Sequence, residues 1–378
     1  MTHQINHPAL GPHRLGGLDL SNRLAVAPMT RVSARVNGVP TAQMADYYAG
    51  YARGGFGLVI TEGTYTDAAY AQGYLFQPGI VTVAHREGWK PIVDAVHAEG
   101  AKIVLQLMHA GALSQGNPHR DHTAGPSPVQ PKGEMLRDYR GSGPWPVPKE
   151  MTQEDIAEVI EGFAASAVAA KEAGFDGVEV HGANGYLLDQ FLTTYTNLRT
   201  DQYGGPVENR IRLTAEVIRK IRDAVGPDYL VGVRLSQTKV NDVEYRWPGG
   251  ARDAEVIYRT VAEAGVSYLH IASEGRDWIH TATLDNGSTL TALAREVTGL
   301  PVIANGGMHK PEQAAQVLAN GHADVLSLGR GALANPDFPK RLAAGAPLEE
   351  FDYEMLHPLA TLDNAERWRR ERSRSTAA

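Results

Sequence analysis

The sequence His181-Gly-Ala-Asn184-Gly-Tyr186 brings three side chains with complementary hydrogen-bonding chemistry within six positions. His181 and Asn184 can both donate hydrogen bonds to a carbonyl or nitro oxygen that gains negative charge during a reaction. Tyr186 has a phenol whose ordinary pKa is about 10, so at neutral pH it holds a proton that it can deliver. A His–Asn pair alone is more often structural, but the tyrosine at this spacing favours an oxygen-binding pair beside a proton donor.

Two glycine-rich sequences predict a binding site for a phosphate group. Asn305-Gly306-Gly307 and Gly329-Arg330-Gly331 each follow a short apolar run. Glycine lets backbone N–H groups approach an anion closely, and the guanidinium of Arg330 matches phosphate oxygens. Either sequence alone is better explained as a turn, whereas the two together favour phosphate. The second also fits the dinucleotide pattern G-x-G-x-x-A, but no strand follows to complete the βαβ unit.

Arg234 and Gln106 are polar residues within apolar runs. An arginine in such a run needs an anionic or electron-rich partner, because an unpaired buried charge is costly. A bound ligand and a neighbouring carboxylate are equally good partners on this evidence. Gln106 offers a donor and an acceptor together, which suits an imide edge such as that of a flavin. As a lone residue it is better explained as a hydrogen-bonded core glutamine.

Eight short apolar runs recur along the chain, most of them just after a glycine that can end a helix. They are Leu24–Met29, Phe56–Thr61, Lys102–Leu107, Gly177–Val180, Leu230–Leu235, Ser267–Ile271, Pro301–Ala304 and Asp324–Leu328. Helical patterns lie between them, as at Ile156–Lys171, Val207–Ala224, Ala254–Ala264, Leu290–Val297 and Pro311–Leu318. This alternation predicts a parallel sheet, and eight units favour a closed (β/α)8 TIM barrel over an open doubly wound sheet.

In such a barrel the chemistry lies at the carboxyl ends of the strands. Besides the residues already named, these ends carry Pro28, Met29, Thr30, Arg31, Glu62, Gly63, His109, Ser236 and His270 to Glu274. The predicted site is therefore assembled from all eight strands.

Two segments fall outside the repeat. Residues 112–150 follow the third strand and hold seven prolines and five glycines, which predicts either a functional lid or a disordered insert. Residues 346–378 form a C-terminal extension, in which Asp363–Arg374 is rich in arginine around Trp368. A solvated tail or an ordered helix explains that stretch better than a role in the site. The chain is thus predicted to be one barrel domain over residues 1–378.

The composition excludes several classes of protein. The 378 residues include no cysteine, which excludes disulfides, thiolate zinc sites, iron–sulfur clusters and cysteine nucleophiles. The formal net charge of −7 argues against nucleic acid or an anionic membrane as a partner. A polar start and the lack of a long apolar run predict a cytoplasmic location. His119-x-x-His122 lies in a Pro/Gly-rich loop, so no metal site is predicted.

The block 181–210 carries a family resemblance. Its sequences His181–Leu192 and Asn197–Arg210 closely resemble the Old Yellow Enzyme family of FMN-dependent ene-reductases. Further matches follow in order at Ala27–Arg31, Gln106, Arg234, Asn305–Gly307 and Gly329-Arg330. The resemblance covers nearly the whole barrel.

The resemblance implies FMN as the cofactor. Thr30 and Gly63, beside Pro28 and Met29, would contact the C4 carbonyl side of the flavin. Gln106 would bond the pyrimidine ring, and Arg234 would face N1 and O2. The phosphate would be held by Gly306, Gly307, Gly329 and Arg330.

The resemblance also implies a ping-pong reaction with NAD(P)H as reductant. Hydride passes to flavin N5 and then to the β-carbon of an α,β-unsaturated carbonyl or nitroalkene, while Tyr186 protonates the other carbon. His181 and Asn184 bind the substrate oxygen, and Tyr65 and Tyr74 add aromatic lining. Quinones and nitro compounds are further expected substrates. One shared site explains why no Rossmann domain is needed.

Some properties stay open at this point. Thr30 stands where one branch of the family has cysteine, and Met108 stands where some members have tryptophan, so substrate size and stereoselectivity are not predicted. The choice between NADH and NADPH and the formation of a homo-oligomer are also open. The alternative function is a flavin-free barrel lyase or isomerase acting on a phosphorylated metabolite. That alternative shares the phosphate site but does not explain Gln106 together with the 181–186 sequence.

Overall fold

A computed structural model describes residues 6–273 and 278–377. Eight parallel strands form a closed barrel, in which each strand pairs with the next and the last pairs with the first. They are β1 Leu24–Val26, β2 Leu58–Ile60, β3 Lys102–Met108, β4 Gly177–Asn184, β5 Leu230–Lys239, β6 Tyr268–Ile271, β7 Val302–Asn305 and β8 Val325–Leu328. The predicted (β/α)8 barrel is confirmed, and the open-sheet alternative is wrong.

Helices connect the strands around the outside of the barrel. They are α1 Ala42–Arg53, α2 Val83–Ala98, α3 Gln153–Glu172, α4 Leu187–Leu192, α5 Val207–Arg210, α6 Arg212–Val225, α7 Ala251–Glu263, α8 Trp278–Ala282, α9 Leu290–Thr298, α10 Pro311–Ala319, α11 Arg330–Ala334, α12 Phe338–Ala344 and α13 Leu362–Ala377. The helix predicted over Val207–Ala224 is divided in two at Ile211. Across the described ranges, no helix is long and apolar enough to span a bilayer.

Two strands run four residues further than the apolar pattern predicts. β4 continues from Val180 to Asn184, and β5 continues from Leu235 to Lys239. The sequence pattern ends early because polar residues follow, yet the strands remain paired as far as Asn184 and Lys239. His181 and Asn184 therefore lie on a barrel strand, and not just beyond one as expected.

A small apolar cluster closes the amino-terminal end of the barrel. A hairpin of His13–Leu15 and Leu18–Leu20 supplies two of its leucines, and the first residues of several strands supply the rest. The larger core lies between the strands and the surrounding helices. Apolar side chains cover the amino-terminal end and the outside of the barrel, so the polar face lies at the carboxyl ends of the strands.

Both additional segments pack against the barrel. Within residues 112–150, Trp145 is buried and Ala124–Gly125 pairs with Lys149–Glu150. In the C-terminal extension, the backbone oxygens of Ala360 and Thr361 accept hydrogen bonds from the buried Arg31. The side chain of Trp368 on α13 packs in an apolar cluster with Leu333, Met355 and Ala365. The extension is therefore bound to the barrel through these residues, and its arginine-rich stretch forms the helix α13, in which most of the charged side chains are exposed.

Gly232 lies at a position in the barrel interior that only glycine fits. A Cβ at Gly232 would lie 2.0 Å from Cζ of Tyr268, whose hydroxyl is fixed by a hydrogen bond to Glu179. We expect Gly232→Ala to lower the free energy of unfolding by about 1–3 kcal/mol through overpacking, measured by urea denaturation. The control is Gly50→Ala on α1, where a Cβ meets nothing within 4 Å. It should raise stability by roughly 0.5–1 kcal/mol. Equal effects of the two substitutions would contradict this account.

Candidate active site

One large cavity opens at the carboxyl ends of the strands, with a volume of about 1140 Å³. Its wall includes nearly all of the predicted site residues, although they come from distant parts of the chain. These are Pro28, Met29, Thr30, Gly63, Gln106, His181, Asn184, Tyr186, Arg234, Gly306, Gly307, Gly329 and Arg330. Met108 and, from the 112–150 segment, Leu136, Asp138 and Tyr139 also line it.

A tight turn at the end of β4 points the 181–186 side chains into the cavity. Asn184 has a φ of +65°, a left-handed conformation that asparagine tolerates better than most residues. Its N–H donates to the hydroxyl of Ser236 at 2.8 Å, and the N–H of Gly185 donates to Asp189 at 2.6 Å. The rings of His181 and Tyr186 lie 5.0 Å apart. The backbone is thus fixed on both sides of the polar trio.

His181 is a neutral donor in this environment. Burial, and then the positive charge of Arg234, lower the pKa of His181 to about 3. Its ring is 6% exposed, and Nδ1 has no hydrogen-bond partner among the described residues. A buried polar atom without a partner is costly unless a ligand satisfies it. The ring is therefore suited to bind a neutral or partly negative oxygen.

Two tyrosines at the site have different surroundings. The hydroxyl of Tyr74 lies 2.6 Å from that of Tyr186, and the ring of Tyr74 packs on Tyr139. Tyr74 does not line the cavity wall, and Tyr65 also lies outside it, both contrary to expectation. Its hydroxyl contacts the carbonyl of Asn37 at 3.3 Å and Nε2 of His85 at 3.4 Å. Tyr74 therefore supports the site from directly behind Tyr186, and Tyr65 belongs to the surrounding packing.

The glycine-rich turns after β7 and β8 have the form expected of an anion cradle. Gly306 and Gly307 both have positive φ, at +108° and +70°. A Cβ at Gly306 would lie 2.7 Å from Cβ of Ser273, and one at Gly331 would lie 2.3 Å from Cβ of His309. Backbone N–H groups are thus left accessible, with the guanidinium of Arg330 at the same end of the cavity. These residues fit a phosphate group.

Behind the cavity floor, a buried network connects Arg234 to a carboxylate that the sequence analysis missed. Arg234 donates to Nε2 of His270 at 2.6 Å, and Nδ1 of His270 lies 2.8 Å from Glu179. Glu179 also accepts hydrogen bonds from Gln106 at 2.9 Å and from Tyr268 at 3.0 Å. Arg234 can therefore have both of the partners considered for it. It is connected to the carboxylate of Glu179 through His270, and it still lines the cavity, where a ligand can bind.

The pKa values of Glu179 and His270 both lie well below neutral pH. Burial raises the pKa of Glu179, but the neighbouring His270 and Arg234 outweigh burial and hold that pKa at about 2. Burial and Arg234 lower the pKa of His270 to about 4, against the opposing effect of Glu179. At neutral pH the network thus holds one carboxylate, one guanidinium and a neutral imidazole. A charge within the apolar run 177–180 was the signal that could have revealed Glu179.

A second buried carboxylate fixes the segment after β1. Glu62 is 1% exposed and accepts the backbone N–H groups of Arg31 at 2.9 Å and Val32 at 3.1 Å. Burial raises its pKa to about 7, although these N–H donors and Arg31 oppose that effect. Glu62 was expected only as a strand-end residue. The structure shows that it holds the backbone that presents Thr30 to the cavity.

A buried ion pair supports the turn that carries Tyr186. Nζ of Lys239 lies 2.9 and 2.8 Å from the two carboxylate oxygens of Asp189, and both side chains are almost fully buried. Burial lowers the pKa of Lys239 and raises that of Asp189, while each charge opposes the effect on its partner. Because Asp189 also accepts the N–H of Gly185, the pair positions the residue next to it, Tyr186.

The remaining expected residues lie elsewhere. His122 is exposed and contacts Asp121, and within the described ranges no group of three or more His, Cys, Asp or Glu residues could hold a metal ion. His109 contacts Asp67 at 3.4 Å, outside the cavity wall. Glu274, named at the end of the sixth strand, lies outside the described residues.

A (β/α)8 barrel whose cavity fits an imide and, at one rim, a phosphate group is typical of a flavin-dependent oxidoreductase. The profile of the NADH:flavin oxidoreductase / NADH oxidase family matches residues 10–349, and the chain belongs to that family. It is 37% identical over 357 residues to a probable flavin mononucleotide-dependent alkene reductase of Leishmania infantum, covering 91% of this chain and 92% of that one.

Solved structures agree with this assignment. The Old Yellow Enzyme homologue from Zymomonas mobilis superposes with a TM-score of 0.84 at 32% identity, covering 94% of this chain and 98% of that one. Morphinone reductase in complex with tetrahydroNAD gives a TM-score of 0.78 at 34% identity, covering 92% and 93%. The chain is an NAD(P)H-dependent flavin oxidoreductase of the Old Yellow Enzyme group.

The Asp189–Lys239 pair can be tested through stability. Lys239→Met keeps the length of the side chain but leaves Asp189 buried without its cation, so we expect a loss of about 3–5 kcal/mol in the free energy of unfolding. The double variant Asp189→Asn with Lys239→Met should recover most of this loss, since asparagine still accepts the Gly185 N–H. Urea denaturation of the three proteins measures both effects. A double variant no more stable than Lys239→Met would contradict the pairing.

Proposed function

We propose that the protein is an FMN-dependent ene-reductase, which oxidises NAD(P)H and reduces the C=C bond of an α,β-unsaturated carbonyl or a nitroalkene. The observation that carries the proposal is the convergence of His181, Asn184 and Tyr186 on the cavity that also holds Gln106 and Arg234. One wall can bind an imide and an anion, and another can bind an oxygen and release a proton.

The cofactor would be held by the residues that line the cavity floor and rim. Gln106 and Arg234 would bind the pyrimidine ring, with Thr30 and Gly63 at the C4 carbonyl side and Pro28 and Met29 beside them. Its phosphate would be bound by Gly306, Gly307, Gly329 and Arg330. When bound, FMN accepts hydride from NAD(P)H and supplies it to the alkene.

His181 and Asn184 would bind the oxygen of the activated alkene. Both donate from neutral groups, and their hydrogen bonds strengthen as negative charge develops on that oxygen. They thereby polarise the double bond and fix its β-carbon toward the cofactor side of the cavity. Since the imidazole of His181 is already neutral at neutral pH, no proton needs to leave it before the substrate binds.

Tyr186 would deliver the proton to the α-carbon. Its phenol is 6% exposed, which excludes bulk water from the acid. Tyr74, whose hydroxyl lies 2.6 Å away, would orient that phenol through their hydrogen bond. Tyr139, from the 112–150 segment, packs on Tyr74, so we propose that this segment acts as a fixed lid over the acid.

The cofactor assignment is tested by the absorption spectrum. We expect the purified protein to be yellow, to bleach anaerobically with NADH or NADPH, and to regain its colour when an enone is added. Comparing NADH with NADPH gives the coenzyme preference, and a panel of enones, nitroalkenes and quinones gives the substrate class. A colourless protein that cannot be reconstituted with FMN, and that binds phosphosugars tightly, would instead favour the lyase or isomerase alternative.

The role of Tyr186 is tested by separating the two half-reactions. We expect Tyr186→Phe to slow alkene reduction by about 10²-fold or more, because it removes the general acid. Oxidation of NAD(P)H with a quinone should change less than about threefold, since a quinone does not need proton delivery to carbon. Tyr65→Phe is the control, and both of its rates should match the wild type. Equal loss of both activities in Tyr186→Phe would reject Tyr186 as the proton donor.

A further inference from the structure

Glu179 is the one negative charge directly behind the part of the cavity wall formed by Gln106 and Arg234, as far as the described residues show. It is fully buried and does not line the cavity itself. One of its oxygens accepts the amide N–H of Gln106, and the other contacts His270 and Tyr268. The carboxylate therefore acts on the cavity only through other side chains.

The strand register brings this network together from two adjacent levels of the barrel. Gln106 on β3 is level with Glu179 on β4, and Arg234 on β5 is level with His270 on β6. Because Gln106 donates one N–H to Glu179, its carbonyl oxygen and its second N–H remain for the cavity. The amide is thus held in one orientation by a group that no ligand touches.

We propose that Glu179 is a positioning residue that sets the reduction potential of the bound flavin, by fixing the Gln106 amide and by offsetting the charge of Arg234. This inference rests on the proposed function, in which the pyrimidine ring of FMN lies against Gln106 and Arg234. Reduction adds negative charge to that ring, and charges near it tune its electronics. A carboxylate behind the ring therefore favours the oxidised state, whereas Arg234 favours the reduced state.

Replacing Glu179 with glutamine changes the local charge by one unit. Glu179 tends to raise the pKa of His270, so its removal leaves His270 neutral, as it is in the wild type. Arg234 would then act on the flavin without the opposing charge of Glu179. At an effective dielectric of about 20, a unit charge roughly 12 Å away changes the preference for the reduced state by about tenfold, and a nearer charge changes it more.

The experiment measures the midpoint potential of bound FMN by anaerobic equilibration with a reference dye. In Glu179→Gln the ratio of affinities for reduced and oxidised FMN should rise by about tenfold, a shift of about +30 mV for a two-electron couple. The matched control is Tyr268→Phe, which removes a hydrogen bond to the same carboxylate but keeps its charge. Its ratio should change less than about twofold.

Each outcome decides the proposal. An unchanged or lower potential in Glu179→Gln overturns it, and so does an equal shift in Tyr268→Phe, which would assign the effect to packing. If Glu179→Gln does not fold, Glu179→Asp withdraws the carboxylate from Gln106 and should raise the ratio about twofold to threefold. No rise there also overturns the inference. If the wild type binds FMN but the variants show no shift, the inference about Glu179 fails and the proposed function stands. If the wild type does not bind FMN, both the inference and the proposed function fail.

Discussion

Closure of the barrel is the constraint on which the site depends. Because all eight strands are parallel and β8 pairs with β1, their carboxyl ends form a ring around one cavity. An open sheet would spread the same residues along a line, and Gln106 and Gly329 could not face a common ligand. The hairpin and the small apolar cluster close the amino-terminal end of the barrel. Polar side chains therefore accumulate at this ring.

Three buried carboxylates hold the segments that form this ring of strand ends. Glu62 fixes the backbone beneath Thr30, Glu179 holds Gln106, and Asp189 anchors the turn before Tyr186. Each one requires donors or a cation, because an unsatisfied buried charge costs several kcal/mol. The three carboxylates meet that requirement in different ways, through backbone N–H groups, a side-chain network and Lys239. Directly behind the cavity wall, therefore, polar contacts hold the site segments, and apolar packing supports them from further away.

Much of this could be predicted from the sequence, because alternating strands and helices and the residues at strand ends are local patterns. The cavity residues from Pro28 to Arg330 follow from that pattern and from the family resemblance. The partner of Arg234 could not be predicted, since it depends on the register between β5 and β6 and on a carboxylate over fifty residues away. The Asp189–Lys239 pair could not be predicted either, because its two residues are 50 positions apart in the sequence. Tyr65 was misplaced because its ring packs against His85, outside the cavity wall, which a spacing argument cannot show.

The arrangement separates two kinds of hydrogen-bond donor in one cavity. On the 181–186 side the donors are neutral, because burial and Arg234 keep His181 uncharged. On the neighbouring strand, level with His181, the permanent guanidinium of Arg234 is balanced by Glu179 through His270. In the proposed reaction, the neutral oxygen of the substrate binds neutral donors, which cost little to desolvate. The guanidinium of Arg234 instead faces the pyrimidine ring of FMN, whose charge changes on reduction. A protonated histidine at position 181 would compete with Arg234 for negative charge, so lowering the pKa of His181 keeps the two roles apart.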